Sequence, residues 1–147
     1  MRSKPTNKEY LHTWRLLLNL SHIAAVARQR ELSKYGITMR QSATLITIKD
    51  IGDKATPAEI ARRQFREPNS VSNILIRMEK LGFIKRIKNP NGVNKVHIIL
   101  TEKGERAYSN SSKIKTINEI MSKLSDTEYD QFTKAVEKLR KVLLEKY

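Results

Sequence analysis

Apolar residues recur along most of the chain at intervals of three and four, the spacing that places them on one side of an α-helix. From about Lys8 to Lys34 no Pro or Gly interrupts that pattern, which predicts one long first helix. Leu11, Trp14, Leu18 and Ala25 fall on one side of it, and Leu16, Leu20, Ile23 and Ala27 on another. A helix apolar on two sides is covered by more than one neighbour. A subunit interface or the centre of a monomeric bundle would each supply them, and in so short a chain the interface is favoured. After Gly36, Thr38 is placed to cap a second helix reaching about Ile51, with Ala43, Leu45, Ile46 and Ile48 as its apolar contacts. Thr56, Pro57 and Glu59 form a compact start signal for a short third helix ending near Phe65. Glu67 as cap and Pro68 at the first helical position begin a fourth, which runs to about Leu81 and is closed by Gly82.

The period then changes to two. Ile84 to Lys88 and Lys95 to Leu100 read as strands, with Val96, Ile98 and Leu100 alternating with Lys95, His97 and Ile99. Asn91-Gly92 between them is a turn signal. Thr101 is placed to cap a helix through about Leu124, and Ser125 with Glu128 suits a capping box for a last helix, about Asp126 to Lys146. There Tyr129, Phe132, Val136, Leu139 and Leu143 form a seam for a partner helix, or the inner face of a helix lying on its own domain. The expected fold is mainly α, with an α+β wing: a winged helix–turn–helix over residues 37–100, flanked by dimerisation helices in residues 1–36 and 101–147.

The phase of the fourth helix carries the functional argument. At about 100° per residue, Val71, Ile74, Leu75, Met78 and Leu81 share one face. Asn69, Asn73, Ile76 and Lys80 lie opposite, flanked by Ser70, Ser72 and Arg77. Asn and Ser are weak helix formers, yet both hydrogen-bond base edges and phosphates. A plainer role, helping the helix to start, also fits Asn69 and Ser70 taken alone.

Charge narrows the choice. The 147 residues carry a formal net charge of +14, which implies a polyanionic partner: nucleic acid first, an anionic membrane surface second. From Arg62 to Lys95 there are nine Lys or Arg against two Asp or Glu. A helix–turn–helix followed by a charged hairpin fits a DNA groove with a flanking backbone contact. Asn69, Ser70, Ser72, Asn73 and Arg77 are the candidates for base edges and nearby phosphates, and Arg40, Lys85, Arg86, Lys88 and Lys95 for phosphates. Ile76 is a weaker candidate for a thymine methyl.

Other classes lose ground. With no Cys, disulfide scaffolds, thiolate metal sites and cysteine redox switches are excluded. His12, His22 and His97 have no metal-ligand spacing, so neither metal nor cofactor is expected. Gly-rich phosphate loops, Gly-x-Ser-x-Gly and His-Glu-x-x-His are all missing, so no enzyme is expected. No apolar run approaches the roughly 20 residues of a membrane span, and the start, MRSKPTNKEY, lacks a signal-peptide segment, so a cytoplasmic protein is expected. RNA readers usually present aromatic platforms, and none clusters on the hairpin. Sequence-independent DNA packaging is the alternative to gene regulation.

AEIARR, SVSNILIRMEKLGFIKR and NPNGVNKVHIILTEKG, in that order, carry a resemblance to the MarR family of bacterial and archaeal transcriptional regulators. Ser70-Val71-Ser72 resembles the family's Thr-Val-Ser/Thr, and Met78 to Ile84 its Leu-Glu-x-x-Gly-Leu-Val. The resemblance covers nearly the whole chain. It implies a homodimer on a pseudo-palindromic operator, often its own promoter, and often released by a small phenolic or other anionic ligand. It also implies a ligand pocket between the dimer helices and the DNA-binding unit, for which His12, Trp14 and Arg15 are the candidates. Trp14 as core or interface and His12 as a solvated residue are the plainer readings. Two positions depart from the pattern. Where the family's wing reads Asp-Pro-x-Asp-Arg-Arg, this chain has Asn89 to Asn94 without the Arg that enters the minor groove in relatives. Either Lys95, Lys88 or Arg86 substitutes, or the wing contacts DNA weakly. Asn73 stands where Arg is common, which lowers the contribution of guanine contacts.

Overall fold

The computed structural model describes residues 3–88 and 96–146. It is mainly helical, with one two-stranded antiparallel sheet, and falls into two units that meet in sequence at Lys113 and Ile114.

The first unit opens with α1 (Asn7–Ser33), about 40 Å long at 1.5 Å per residue. Its start is a capping box one residue earlier than the apolar pattern suggests: Thr6 accepts from the Glu9 backbone N–H, and Glu9 accepts from that of Thr6. Only the carboxyl end of α1 packs within this unit, where Glu31 and Leu32 are buried. α2 (Met39–Ile51) starts at Thr38 with a second reciprocal box through Gln41. Its inward face is partly polar. Leu45 and Ile48 are buried beside Ser42 and Thr44, whereas Ala43 and Ile46 point outward, contrary to the apolar contacts expected of them. Thr44 is buried because its hydroxyl donates to the Arg40 carbonyl at 2.8 Å and accepts from Gln64 at 3.3 Å.

α3 (Pro57–Gln64) begins at Thr56 as expected, but its Glu59 carboxylate turns away from the cap to Arg62 and Arg63. α4 (Pro68–Lys80) begins after Glu67, whose side chain makes no capping bond; Pro68 in the first turn sets the start instead. Val71, Leu75 and Met78 are wholly buried, and Leu81, expected beside them, is exposed. They meet Leu32, Ile37, Leu45, Ile48, Ile60, Ile84 and Ile98 in one core.

Three helix ends in this unit share one geometry, in which the chain turns through positive φ and the next amide bonds back five residues. Gly36 and Gly82 hold the turning position after α1 and α4, with Ile37 N–H donating to Leu32 and Phe83 N–H to Met78. After α3 the turning residue is Phe65, at φ 51°, with Arg66 N–H donating to Ala61.

β1 (Ile84–Lys88) pairs with β2 (Val96–Leu100), Ile84 opposite Leu100 and Lys88 opposite Val96. The Asn91-Gly92 turn and Lys95 lie outside the described residues. The hairpin is anchored at its base: Ile98 N–H donates to the Ala55 carbonyl at 2.8 Å, and Thr101 N–H to that of Phe83 at 3.0 Å.

The single helix expected from Thr101 to Leu124 is two: α5 (Glu102–Ser111) and α6 (Lys115–Met121). The break, at residues 112–114, follows the weak helix formers Ser109-Asn110-Ser111 that end α5. Arg28 of α1 also stabilises it, since its guanidinium donates to the carbonyls of Ser111 and Lys113 while pairing with Glu31.

The second unit holds α6 and α7 (Asp126–Lys146). The expected box at its start is present, with Ser125 N–H donating to Glu128 at 2.9 Å and Glu128 N–H to the Ser125 hydroxyl at 3.3 Å. No described residue of this unit is buried in the single chain. Phe132, Val136, Leu139 and Leu143 are all exposed.

Candidate nucleic-acid interface

α3 and α4 are joined by the Phe65–Glu67 turn, and the core holds α4 along one side. The opposite side carries Asn69, Ser70, Asn73, Ile76, Arg77 and Lys80, all exposed, with Ser72 half-buried. Every candidate on this helix therefore lies on or beside one outward face. Pro68 removes an amide donor that has no partner in the first turn anyway. Arg77 sits toward the start of α2. With Arg40, Gln29, Thr38, Met39, Gln41 and Ile74 it lines a cavity of about 350 Å³.

The basic candidates surround this face without forming one cluster. Arg40 is exposed in the first turn of α2, and Lys85 and Lys88 are exposed on β1. Arg86 is half-buried and paired with Glu79 at 3.2 Å, so its guanidinium is partly neutralised. Arg66, exposed in the turn before α4, joins these candidates. The local excess of Lys and Arg signalled it, but the helical phase of α4 did not include it. On α3, Arg62 and Arg63 share the Glu59 carboxylate at 2.7 and 3.0 Å. Their hydrogen bonds, Arg62 first, lower its pKa to about 2.

His12, Trp14 and Arg15 are exposed on the amino-terminal half of α1. His12 lies seventeen residues before Gln29, about 25 Å along the helix from the cavity beside α4. Within one chain the three do not line that cavity. The Nδ1 of His97 lies 2.8 Å from the Asp53 carbonyl. Among the described residues no three His, Cys, Asp or Glu side chains gather as metal ligands, and no helix is long and apolar enough to cross a membrane.

A two-helix turn with an outward polar helix, followed by an antiparallel hairpin, defines a winged helix–turn–helix. Known proteins carry the identification further. The MarR family model matches residues 35–92. The chain is 26% identical over 140 residues to the uncharacterized HTH-type transcriptional regulator YsmB of Bacillus subtilis (strain 168), covering 92% of this chain and 95% of that one. The ligand-free organohalide-sensing regulator RdhR-CbdbA1625 superposes with a TM-score of 0.83 at 28% identity, over 98% of this chain and 89% of that one. MepR of S. aureus, in its DNA complex, gives a TM-score of 0.78 at 25% identity, over 94% and 99% of the two chains. Over its winged helix–turn–helix the chain thus matches the MarR family, and along most of its length it is similar to transcriptional regulators of known structure.

Proposed function

We propose that this protein is a repressor that binds a pseudo-palindromic operator as a homodimer and leaves it when a small molecule binds. The observation that carries this reading is α4: three wholly buried residues fix its inner side, and short hydrogen-bonding side chains line the amino-terminal half of its outer one. In a dimer, two such helices enter successive major grooves about 34 Å apart, so the operator half-sites must match the dimer spacing. Asn69, Ser70, Ser72, Asn73, Ile76 and Arg77 meet bases and adjacent phosphates. Arg40, Lys85, Arg86, Lys88 and Lys95 hold the backbone and set a steep salt dependence. The bound dimer excludes polymerase from the promoter. Residues 37–100 act as the DNA-binding domain, and residues 1–36 and 101–147 as dimerisation helices.

The dimer is supported by apolar surface that a lone chain leaves in water. Leu11, Trp14, Leu18 and Ile23 on α1, and Phe132, Val136 and Leu139 on α7, are exposed on helices whose patterns call for partners. His12, Trp14 and Arg15 lie on the half of α1 that such pairing would cover, which is where they would line an effector site. RdhR-CbdbA1625, whose other form holds 2,4-dichlorophenol, supports a phenolic effector class. A ligand acts here only by preferring a dimer whose helix spacing mismatches DNA.

Binding to the chain's own promoter and to a scrambled duplex, compared at one salt concentration, tests the proposal. Affinity for the promoter about a thousandfold higher or more is the expected result, the range of specific DNA readers. Equal affinities would make the protein a sequence-independent packaging factor.

A further inference from the structure

The outward side of α4 has a crest and two flanks, and they differ in chemistry. At about 100° per residue, Asn69, Asn73, Ile76 and Lys80 form the crest opposite the buried Val71, Leu75 and Met78. Ser72 and Glu79 form one flank, where Glu79 is held by Arg86 of β1. Ser70 and Arg77 form the other, and Arg77 shares a cavity wall with Arg40. The one guanidinium of this helix thus stands aside beside a second cation, an arrangement suited to a phosphate. Lys80 comes eleven residues after Asn69, about 16 Å further along the axis. That is beyond the amino-terminal part of a recognition helix that reaches base edges.

Asn69, Asn73 and Ile76 remain on the crest within its amino-terminal part. Asn69 to Ile76 spans about 10 Å, or about three base-pair steps of 3.4 Å. Asn pairs in bidentate fashion with adenine N6 and N7, and aliphatic carbon packs on the thymine methyl, whereas guanine is read best by Arg or Lys. Ile76 is 41% exposed, so its side chain reaches past the helix surface.

Given the operator reading above, we infer that the core of each half-site is a run of about three A·T pairs, with Asn69 and Asn73 at adenines and Ile76 against a thymine methyl. Specificity then comes from amides and a methyl contact, while the basic side chains supply affinity without choosing sequence.

Selection of binding sites from a random duplex pool with the full chain tests the inference, repeated with Asn73→Arg, and followed by affinity measurements on the selected site with each thymine in turn replaced by uracil. The expected result is a symmetric site with A·T triplets, one of whose positions becomes G·C for Asn73→Arg. One thymine-to-uracil change should weaken the natural chain about fourfold, the value of one buried methyl, and leave Ile76→Ala unaffected. The uracil arm alters only the DNA, so it stands even if a variant folds poorly. Selective binding to a G·C core, or indifference to every uracil, would overturn the inference and leave the operator reading intact. A pool that yields no enriched sequence would overturn both.

Discussion

Gly104 tests how tightly the wing is seated. It lies in the first turn of α5, and a Cβ added to it would come within 1.9 Å of the Phe83 carbonyl oxygen, 3.0 Å of that carbonyl carbon and 3.3 Å of Leu100 Cβ. An ordinary carbon–oxygen contact is about 3.3 Å, so Gly104→Ala requires backbone to move by more than about 1 Å. The Phe83 carbonyl cannot yield alone. It accepts from Thr101 N–H, while the Thr101 hydroxyl donates to Gly82. Overpacking costs about 1–3 kcal/mol, and a buried hydrogen bond lost with it adds about 1 kcal/mol. A total near 3 kcal/mol lowers Tm by about 10 °C in a chain of this size. Gly36→Ala is the reference, since its Cβ meets nothing within 4 Å and only the positive φ of 68° opposes it, for about 1 kcal/mol. Thermal unfolding followed at 222 nm, at one protein concentration because dimer stability depends on it, should rank Gly104→Ala well below Gly36→Ala. Equal melting points would refute the close approach of α5 to the wing base.

Other outcomes follow from single sites. Glu59 has its pKa depressed to about 2 by Arg62 and Arg63, so its contribution is intact above the ordinary carboxylate pKa and fades as pH falls from about 4.5 toward 2. Unfolding curves across that window should lose slope in Glu59→Gln, and the same variant, with two guanidinium groups released, should bind scrambled DNA more tightly. Lys85→Ala should leave the selected sequence unchanged and reduce the slope of log K against log salt by about 0.9 for each protomer, measured by fluorescence anisotropy.

The helix starts were legible because capping is local. Thr38 and Ser125 announce themselves within four residues, and Thr6 with Glu9 carries the same spacing, so the true start of α1 was available to the same reasoning. What failed was non-local. The break between α5 and α6 depends partly on Arg28, more than eighty positions away. Leu81 and Ile46 fit the apolar phase of their helices but lie beyond the reach of the core. The outward face of α4 could be read from its period alone, since Val71, Leu75 and Met78 leave the helix one orientation. Which cations attend that face could not, because the pairing of Arg86 with Glu79 depends on where the hairpin folds back.

Amide and methyl chemical shifts of the full chain, recorded with and without a duplex carrying its own promoter, address the operator reading most directly. Changes at Asn69, Asn73, Ile76 and Arg77, with the buried Val71 and Leu75 nearly still, are what this account predicts. Shifts confined to the hairpin and α3, leaving those four residues where they were, would contradict it.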